Sequence, residues 1–369
     1  MSTFLNKTDR LISLDVMRGL IMILLAGESA TLYSSLQKLS IPYWLNNLNQ
    51  QFFHHPWHGL HFWDLVQPAF MTIAGTAMYI SYAQKLKLGI SWQQNFKHIL
   101  IRSLKLFLLG TGLHCVYAGK LVFELWNVLT QLAVTTIISY LFINASCFVQ
   151  ILVGILLIAV NDIAYHFIQI PFFNLPFVEG KNLGSYIDIL LMGKINTDGW
   201  VAINCIPTAA HTLWGVTIGK YLMEKKNKKT ALIPLISFAV AAIISGYLLN
   251  FIGLSLIIKR IATAAFVLVS FGWVLLILLI LYWWVDIKNH KKYTWSIIPV
   301  GMNAIFIYLF FETVGYQWLR PTTFIFVGGF AQLMHISQPV SYFINALVVW
   351  FIYWYLCNWL YKKKIFIKL

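Results

Sequence analysis

Charge is what this chain has least of. Only 11% of its 369 residues are Asp, Glu, Lys or Arg, and the acids number 12. Hydrophobic residues make up 59% and the mean hydropathy is +0.73. A soluble chain of this size could not hide so much apolar surface, so the composition implies a polytopic integral membrane protein. Lys and Arg together number 27, giving a formal net charge of +15. In a membrane protein such cations flank spans and set their orientation, so no nucleic-acid partner is implied. The four cysteines are scattered through apolar segments without a C-x-x-C spacing, which excludes a disulfide framework and a zinc site. There is no Walker lysine loop, no G-x-S-x-G elbow and no H-E-x-x-H, so familiar nucleotide and hydrolase chemistry is not visible. Low-complexity stretches and convincing internal repeats are also missing. One domain, 1–369, is the simplest division.

What is present is a series of apolar runs of about 20 residues, the length that crosses a bilayer. Ten are expected, at about 12–33, 62–83, 97–118, 121–141, 145–166, 201–222, 230–250, 261–285, 294–316 and 340–361. The predicted fold is therefore an all-α membrane bundle of about ten transmembrane helices. An even number puts both termini on one side. On that side fall 20 of the 27 basic residues, among them Lys7, Arg10, Arg102, Lys105, Lys226, Lys228 and Lys368. The positive-inside rule makes that side cytoplasmic. The polar stretch 1–10 precedes the first run without a small-residue cleavage site and reads as a short cytoplasmic arm. The outer connections, about 34–61, 167–200 and 317–339, are long and rich in aromatics. Such residues suit the interfacial belt, and some could line a sugar-binding cleft.

Titratable groups beside a membrane span are costly and need a reason. Residues 54–68 hold four histidines and Asp64 at the expected outer mouth of span two, with Pro68 in its first turns. Glu28 falls ten residues after Arg18, roughly 15 Å further along span one. A carboxylate there should face protein or water. Glu28, His54 and Asp64 are thus expected to converge in one outer vestibule, where a histidine beside a carboxylate suits general-base work. The bland reading makes His54 a loop histidine bonded to backbone. His54, His55, His58 and His61 could ligate a metal, but Pro56 interrupts them and none is expected. Asp15 and Arg18, three apart on one face, read as an internal ion pair, although a guanidinium also suits phosphate. His114, Glu124, Gln131, His211, Asn303 and Glu312 fall inside later spans, where they could glue helices by hydrogen bonds.

These residues resemble a family. Ser13, Asp15, Arg18 and Gly19 match its opening Ser-x-Asp-x-x-Arg-Gly, and His54, Trp57, Gly59, Asp64 and Pro68 match its His-x-x-Trp-x-Gly followed by Asp and Pro. Weaker likenesses lie at 128–132 around Gln131, at Asp198-Gly199 with Pro207, at 259–266 and at 301–304. The chain resembles the transmembrane acyltransferases related to heparan-α-glucosaminide N-acetyltransferase, and looks closest to their bacterial branch. The resemblance implies acetyl-CoA used from the cytoplasmic side, an acceptor on the far side, and an active-site histidine at His54. One departure is Ser29, next to Glu28, where the heparan enzyme has asparagine, so heparan specificity does not carry over.

The expected activity is a membrane acyltransferase in the bacterial cytoplasmic (inner) membrane. It would move an acetyl group from acyl-CoA to an envelope sugar or glycolipid. His54 would be the base, with Glu28 or Asp64 orienting it. Arg18, Arg102, Lys105 and Asn303 are the candidates for acetyl-CoA. A homodimer is compatible with this reading. The rival classes are a proton-coupled small-solute transporter, with Glu28, His211 and Glu312 as relay groups, and a non-catalytic membrane scaffold.

Overall fold

The computed structural model describes residues 11–225 and 229–367. The arm 1–10, with Lys7 and Arg10, and also Lys226, Lys228 and Lys368 lie outside the described residues. The architecture is all-α: helix accounts for 74% of the chain, and among the described residues the sole β pairing is an isolated bridge between His58 and Ile258. In chain order the α-helices are α1 (Ile12–Ser29), α2 (Leu32–Gln37), α3 (Tyr43–Gln50), α4 (Val66–Lys87), α5 (Trp92–Ala118), α6 (Val128–Leu141), α7 (Cys147–Phe167) and α8 (Leu183–Met192). They continue with α9 (Cys205–Glu224), α10 (Leu232–Phe251), α11 (Ala264–Leu281), α12 (Ile298–Met302), α13 (Ala304–Phe310), α14 (Arg320–Leu333) and α15 (Gln338–Lys362).

Five helices among the described residues are long and apolar enough to cross a membrane: Trp92–Ala118, Cys147–Phe167, Leu232–Phe251, Ala264–Ile287 and Gln338–Lys362. Their surfaces say the same. Phe148, Leu152, Leu156 and Val160 form one stripe of α7, with exposures of 52–74%. A water-soluble surface would not carry such a stripe, whereas lipid welcomes it. Each of the other five expected runs contains helix.

Three sequence expectations need correction. Helix does not begin at 121: residues 121–126 have no regular structure, because Asn127 caps the following turn, its Oδ1 accepting the Leu129 N–H at 2.8 Å. Side-chain capping of this kind fixes where a helix starts, and it leaves Glu124 ahead of α6 rather than inside a span. The run 294–316 is not one helix but α12, α13 and the first turns of a π-helical stretch, Phe311–Leu319. The expected connection 317–339 is largely helix α14.

The chain divides into two compact units. The larger comprises His55–Leu60 and Asp64–Trp283. Its centre is α11, where Val267, Val269, Phe271, Val274 and Leu275 are fully buried. Around it, α4 and α9 press backbone to backbone. A side chain on Gly75 would collide with the Thr212 carbonyl, and one on Gly215 with the Thr72 carbonyl. Thr76 Oγ1 donates across the seam to Gly215 O at 3.0 Å. Lipid gives helices little hydrophobic reason to associate, so small residues and polar links of this kind carry the packing.

The smaller unit comprises Leu11–His54, His61–Trp63 and Trp284–Leu369. Its α1 begins on the Asp286 carboxylate, which accepts the N–H groups of Ile12 and Ser13, both at 3.0 Å. An anion at that end satisfies orphan donors and the helix dipole. One turn on, α1 meets α12 so closely that a side chain on Gly19 would strike Ile297 and one on Gly301 would strike Asp15.

Candidate functional site

In the larger unit, the histidine loop 55–60 is tied down along its whole length. Trp57 Nε1 donates to Phe177 O at 2.7 Å. His58 Nε2 donates to Asn250 Oδ1 at 2.8 Å, and Gly59 N–H donates to Ile257 O at 2.9 Å. Arg260 Nη1 donates to Pro56 O. Gly59 has φ +145, and a side chain there would drive into the His55 ring. Gly199, at φ +75, lies against Trp57, where a Cβ would come within 2.7 Å of the indole. The glycines of both motifs are therefore explained by close approach and backbone conformation.

Asp64 anchors the same loop from the mouth of α4. Its side chain is 1% exposed; Oδ2 accepts the His55 N–H at 3.2 Å and Oδ1 faces Lys259 Nζ at 3.5 Å. Lys259 is itself 7% exposed, and its ammonium sits over the Trp200 ring, 5.4 Å from the centroid. A charge buried this deeply persists only with its counter-charge. Pro68 follows within the first turn of α4, where proline is tolerated. Beside it a chain of amides crosses the unit. Gln67 Nε2 donates to Gln131 Oε1, Gln131 Nε2 to Asn204 Oδ1 at 2.6 Å, and Asn204 Nδ2 to Arg260 O at 3.1 Å. Trp57, Asp64, Gln131, Gly199 and Lys259, drawn from four separate sequence segments, thus belong to one network. Lys259 was not among the sequence-expected site residues. Its signal was a cation set in an apolar connection, Leu-Ile-Ile-Lys-Arg-Ile.

A second polar cluster of this unit surrounds Glu124. Its carboxylate contacts His114 Nδ1 at 2.6 Å and Lys194 Nζ at 2.5 Å. Burial pushes the Glu124 carboxyl up, but the hydrogen bond from Lys194 and the His114 ring outweigh it and hold it below the usual carboxylate range. Nearby, burial raises Asp188 to about 6, against the opposing hydrogen bonds from Ala202 N–H and Trp126 Nε1. His211, buried in α9, contacts Ser270 Oγ at 3.0 Å, as expected of helix glue. On α5, Lys105 is exposed and Arg102 partly buried. Burial first, and the Arg102 charge second, lower the pKa of Lys85.

In the smaller unit, Tyr33 organises the segment that leads to His54. Its ring stacks on Phe52 at 4.8 Å and meets Trp63 edge-on at 5.4 Å. Its hydroxyl donates to Leu24 O at 3.0 Å and its carbonyl accepts from Asn49 Nδ2 at 3.0 Å. His54 follows this packed segment and is exposed, as is Glu28 on the last turn of α1. Asp15 and Arg18 form the expected ion pair, Oδ1 to Nη1 at 3.3 Å. Ser29 Oγ donates to Phe311 O at 3.1 Å. Asn303, fully buried, accepts the Ile367 N–H on its Oδ1 at 3.2 Å, and its Nδ2 has no partner. Glu28 and His54 thus belong to one unit and Asp64 to the other. Among the described residues no group of three or more His, Cys, Asp or Glu is arranged to hold a metal ion.

A family profile described as heparan-α-glucosaminide N-acetyltransferase, catalytic, matches residues 10–249. The chain belongs to this family. The match takes in the Asp15–Arg18–Gly19 motif, the histidine loop, Asp64, Gln131 and Asp198–Gly199. Lys259 and Asn303 lie beyond it. A search of curated proteins returns no match. Membership in the heparan-α-glucosaminide N-acetyltransferase family, with five apolar membrane-length helices, makes this an integral membrane protein of acetyltransferase type. Acetyltransferases of this family use acetyl-CoA as donor. The transporter reading has no support.

Proposed function

We propose that the chain, as one functional domain with ten spans and both termini in the cytoplasm, transfers an acetyl group from cytoplasmic acetyl-CoA to an acceptor on the outer side. The acceptor is a sugar or glycolipid amine or hydroxyl of the bacterial envelope. The observation that carries this reading is the family match across both the Asp15–Arg18 motif and the histidine loop. His54, which resembles the family's active-site histidine by its His-x-x-Trp-x-Gly setting, takes the proton from the acceptor N–H or O–H. The acceptor attacks the thioester carbonyl, the C–S bond breaks, and the CoA thiolate leaves to be protonated. The products are acetylated acceptor and free CoA. General-base help is typically worth ~10²–10⁴ in rate.

Glu28, in the same unit as His54, is assigned to orient the imidazole and stabilise its cation. Asp64 is assigned to positioning. It holds the peptide N–H that directly follows His54 (3.2 Å), and Lys259 fixes it in turn. Arg102 and Lys105, three apart on α5, are assigned to the acyl-CoA phosphates, which guanidinium and ammonium groups suit. Arg18 and Asn303 are assigned to the same co-substrate. The orphaned amide of Asn303 supports its assignment.

His54→Ala tests the reading. Purified protein should retain its thermal unfolding midpoint yet lose at least 100-fold in CoA release when supplied with acetyl-CoA and envelope glycolipid. Turnover equal to wild type would remove His54 from the chemistry.

A further inference from the structure

The smaller unit holds a cavity that the acetyl-transfer assignment leaves unused. It has a volume of about 360 Å³ and is walled by α2, the start of α14 and the first half of α15. That size falls in the range of roughly 300–1,000 Å³ typical of small-ligand pockets. Among the described residues its lining holds two cations, Lys38 and Arg320, and no carboxylate.

Both cations lie against aromatic rings. The Arg320 guanidinium lies over the Tyr316 ring, 4.5 Å from its centroid. Lys38 Nζ lies 6.0 Å from the centroid of Tyr342, whose ring stacks on Phe324 at 4.8 Å. Cation–π contacts of this kind restrain an ammonium or guanidinium without neutralising it. The α2 segment that carries Lys38 also supplies acceptors. Thr31, Ser34 and Ser35 each donate their hydroxyl proton to a backbone carbonyl, at 2.6, 3.2 and 3.0 Å. Their oxygens therefore keep lone pairs for a ligand's hydroxyl groups.

Asn345 completes the arrangement. It is 4% exposed, its Nδ2 donates to Arg320 O at 3.3 Å, and its buried Oδ1 has no hydrogen-bond partner. A buried acceptor left unmade is costly, so this oxygen calls for a donor supplied from the pocket. Thr31 adds a further cost, since a β-branched residue at φ +62 is strained.

We propose that this pocket binds a phosphate carried on a polyhydroxylated group, either a sugar phosphate or a phospholipid headgroup such as phosphoglycerol. Lys38 and Arg320 take the phosphate oxygens, and Asn345 Oδ1 with the hydroxyl oxygens of Ser34, Ser35 and Thr31 takes the hydroxyl protons. A bare anion would leave the acceptor wall unused, and a neutral sugar would leave the cations unused. The acetyl-transfer assignment does not enter this argument. The ligand chemistry stands without it.

The test is direct binding to the purified full chain without acetyl-CoA. In detergent, glucose 1-phosphate should bind at least 10-fold more tightly than inorganic phosphate or glucose. Lys38→Ala and Arg320→Gln should each weaken it at least 10-fold, with Lys38→Arg restoring it. In nanodiscs, native mass spectrometry should find phosphatidylglycerol retained over phosphatidylcholine if the source is lipid, and the same two variants should release it. A lipid-specific result and a soluble-ligand result both support the site and tell the two sources apart. Binding that is unchanged in the Lys38→Ala/Arg320→Gln double variant, or equal affinity for inorganic phosphate and glucose 1-phosphate, would overturn it. His54→Ala should keep this binding while losing turnover, so failure of one assignment is separable from failure of the other.

Discussion

Lys259 bears more of the larger unit's integrity than its place in an apolar connection suggests. Its ammonium neutralises Asp64, and Asp64 in turn holds the His55 N–H at 3.2 Å. Replacing Lys259 by methionine keeps the stem length but takes the ammonium away from a carboxylate that is 1% exposed. Breaking a buried pair from one side typically costs ~3–5 kcal/mol. Lys259→Met should therefore lower the thermal unfolding midpoint strongly, and Asp64→Asn in the same background should recover part of the loss. A double-mutant cycle in purified protein reads the coupling; additive losses would show that the two charges do not stabilise each other. The sequence spoke unevenly about such residues. Asp15 and Arg18 were legible as a pair because three-residue spacing on a helix fixes their neighbourhood. Asp64 was legible as important but not as a partner of Lys259, because 195 positions separate them and periodicity carries no information about which distant segments meet. Glu124, in turn, took its true surroundings from a cap at Asn127 that hydropathy does not register.

At the scale of elements, the contact between α4 and α9 depends on atoms that are missing. Gly75 and Gly215 each leave room for a carbonyl of the opposite helix, and Thr76 uses that closeness to donate to Gly215 O at 3.0 Å. Gly215→Leu would push the helices apart by forcing its side chain into the Thr72 carbonyl. The colliding atoms are backbone, so a rotamer change cannot relieve them. The expected result is loss of monodisperse protein in size-exclusion chromatography and a sharply lowered unfolding midpoint. Gly112→Leu, where nothing lies within 4 Å of a new Cβ, should fold normally. Equal behaviour of the two variants would dismiss the tight seam. Hydropathy located the helices on either side of this seam well, because an apolar run of membrane length has few alternatives. It misjudged 294–316 and 317–339, where Asn303 separates two short helices and a π-helical stretch runs on into α14. Aromatic-rich sequence there looks the same whether the backbone is helical or not.

For the whole molecule, the expectation that matters most is sidedness, since the proposed chemistry takes its donor from one compartment and its acceptor from the other. The 20-to-7 division of basic residues predicts that α3 and the histidine loop face outward. Asn47, exposed on α3, is a suitable reporter. Three of the four native cysteines are partly buried and Cys357 is buried, so all four are first replaced by alanine. Asn47→Cys in that background should react with a membrane-impermeant maleimide added to intact spheroplasts, as fast as in lysed membranes. A cysteine at Lys292, in the proposed cytoplasmic group and exposed, should react only after lysis. The reverse pattern would invert the bundle, put His54 in the cytoplasm beside the donor, and remove the need for transfer across the membrane. Labelling of both positions before lysis would mean that the chain crosses an even number of times between residues 47 and 292 instead of the proposed odd number, or that the spheroplasts leak; an impermeant label on a cytoplasmic marker protein in the same preparation decides between the two.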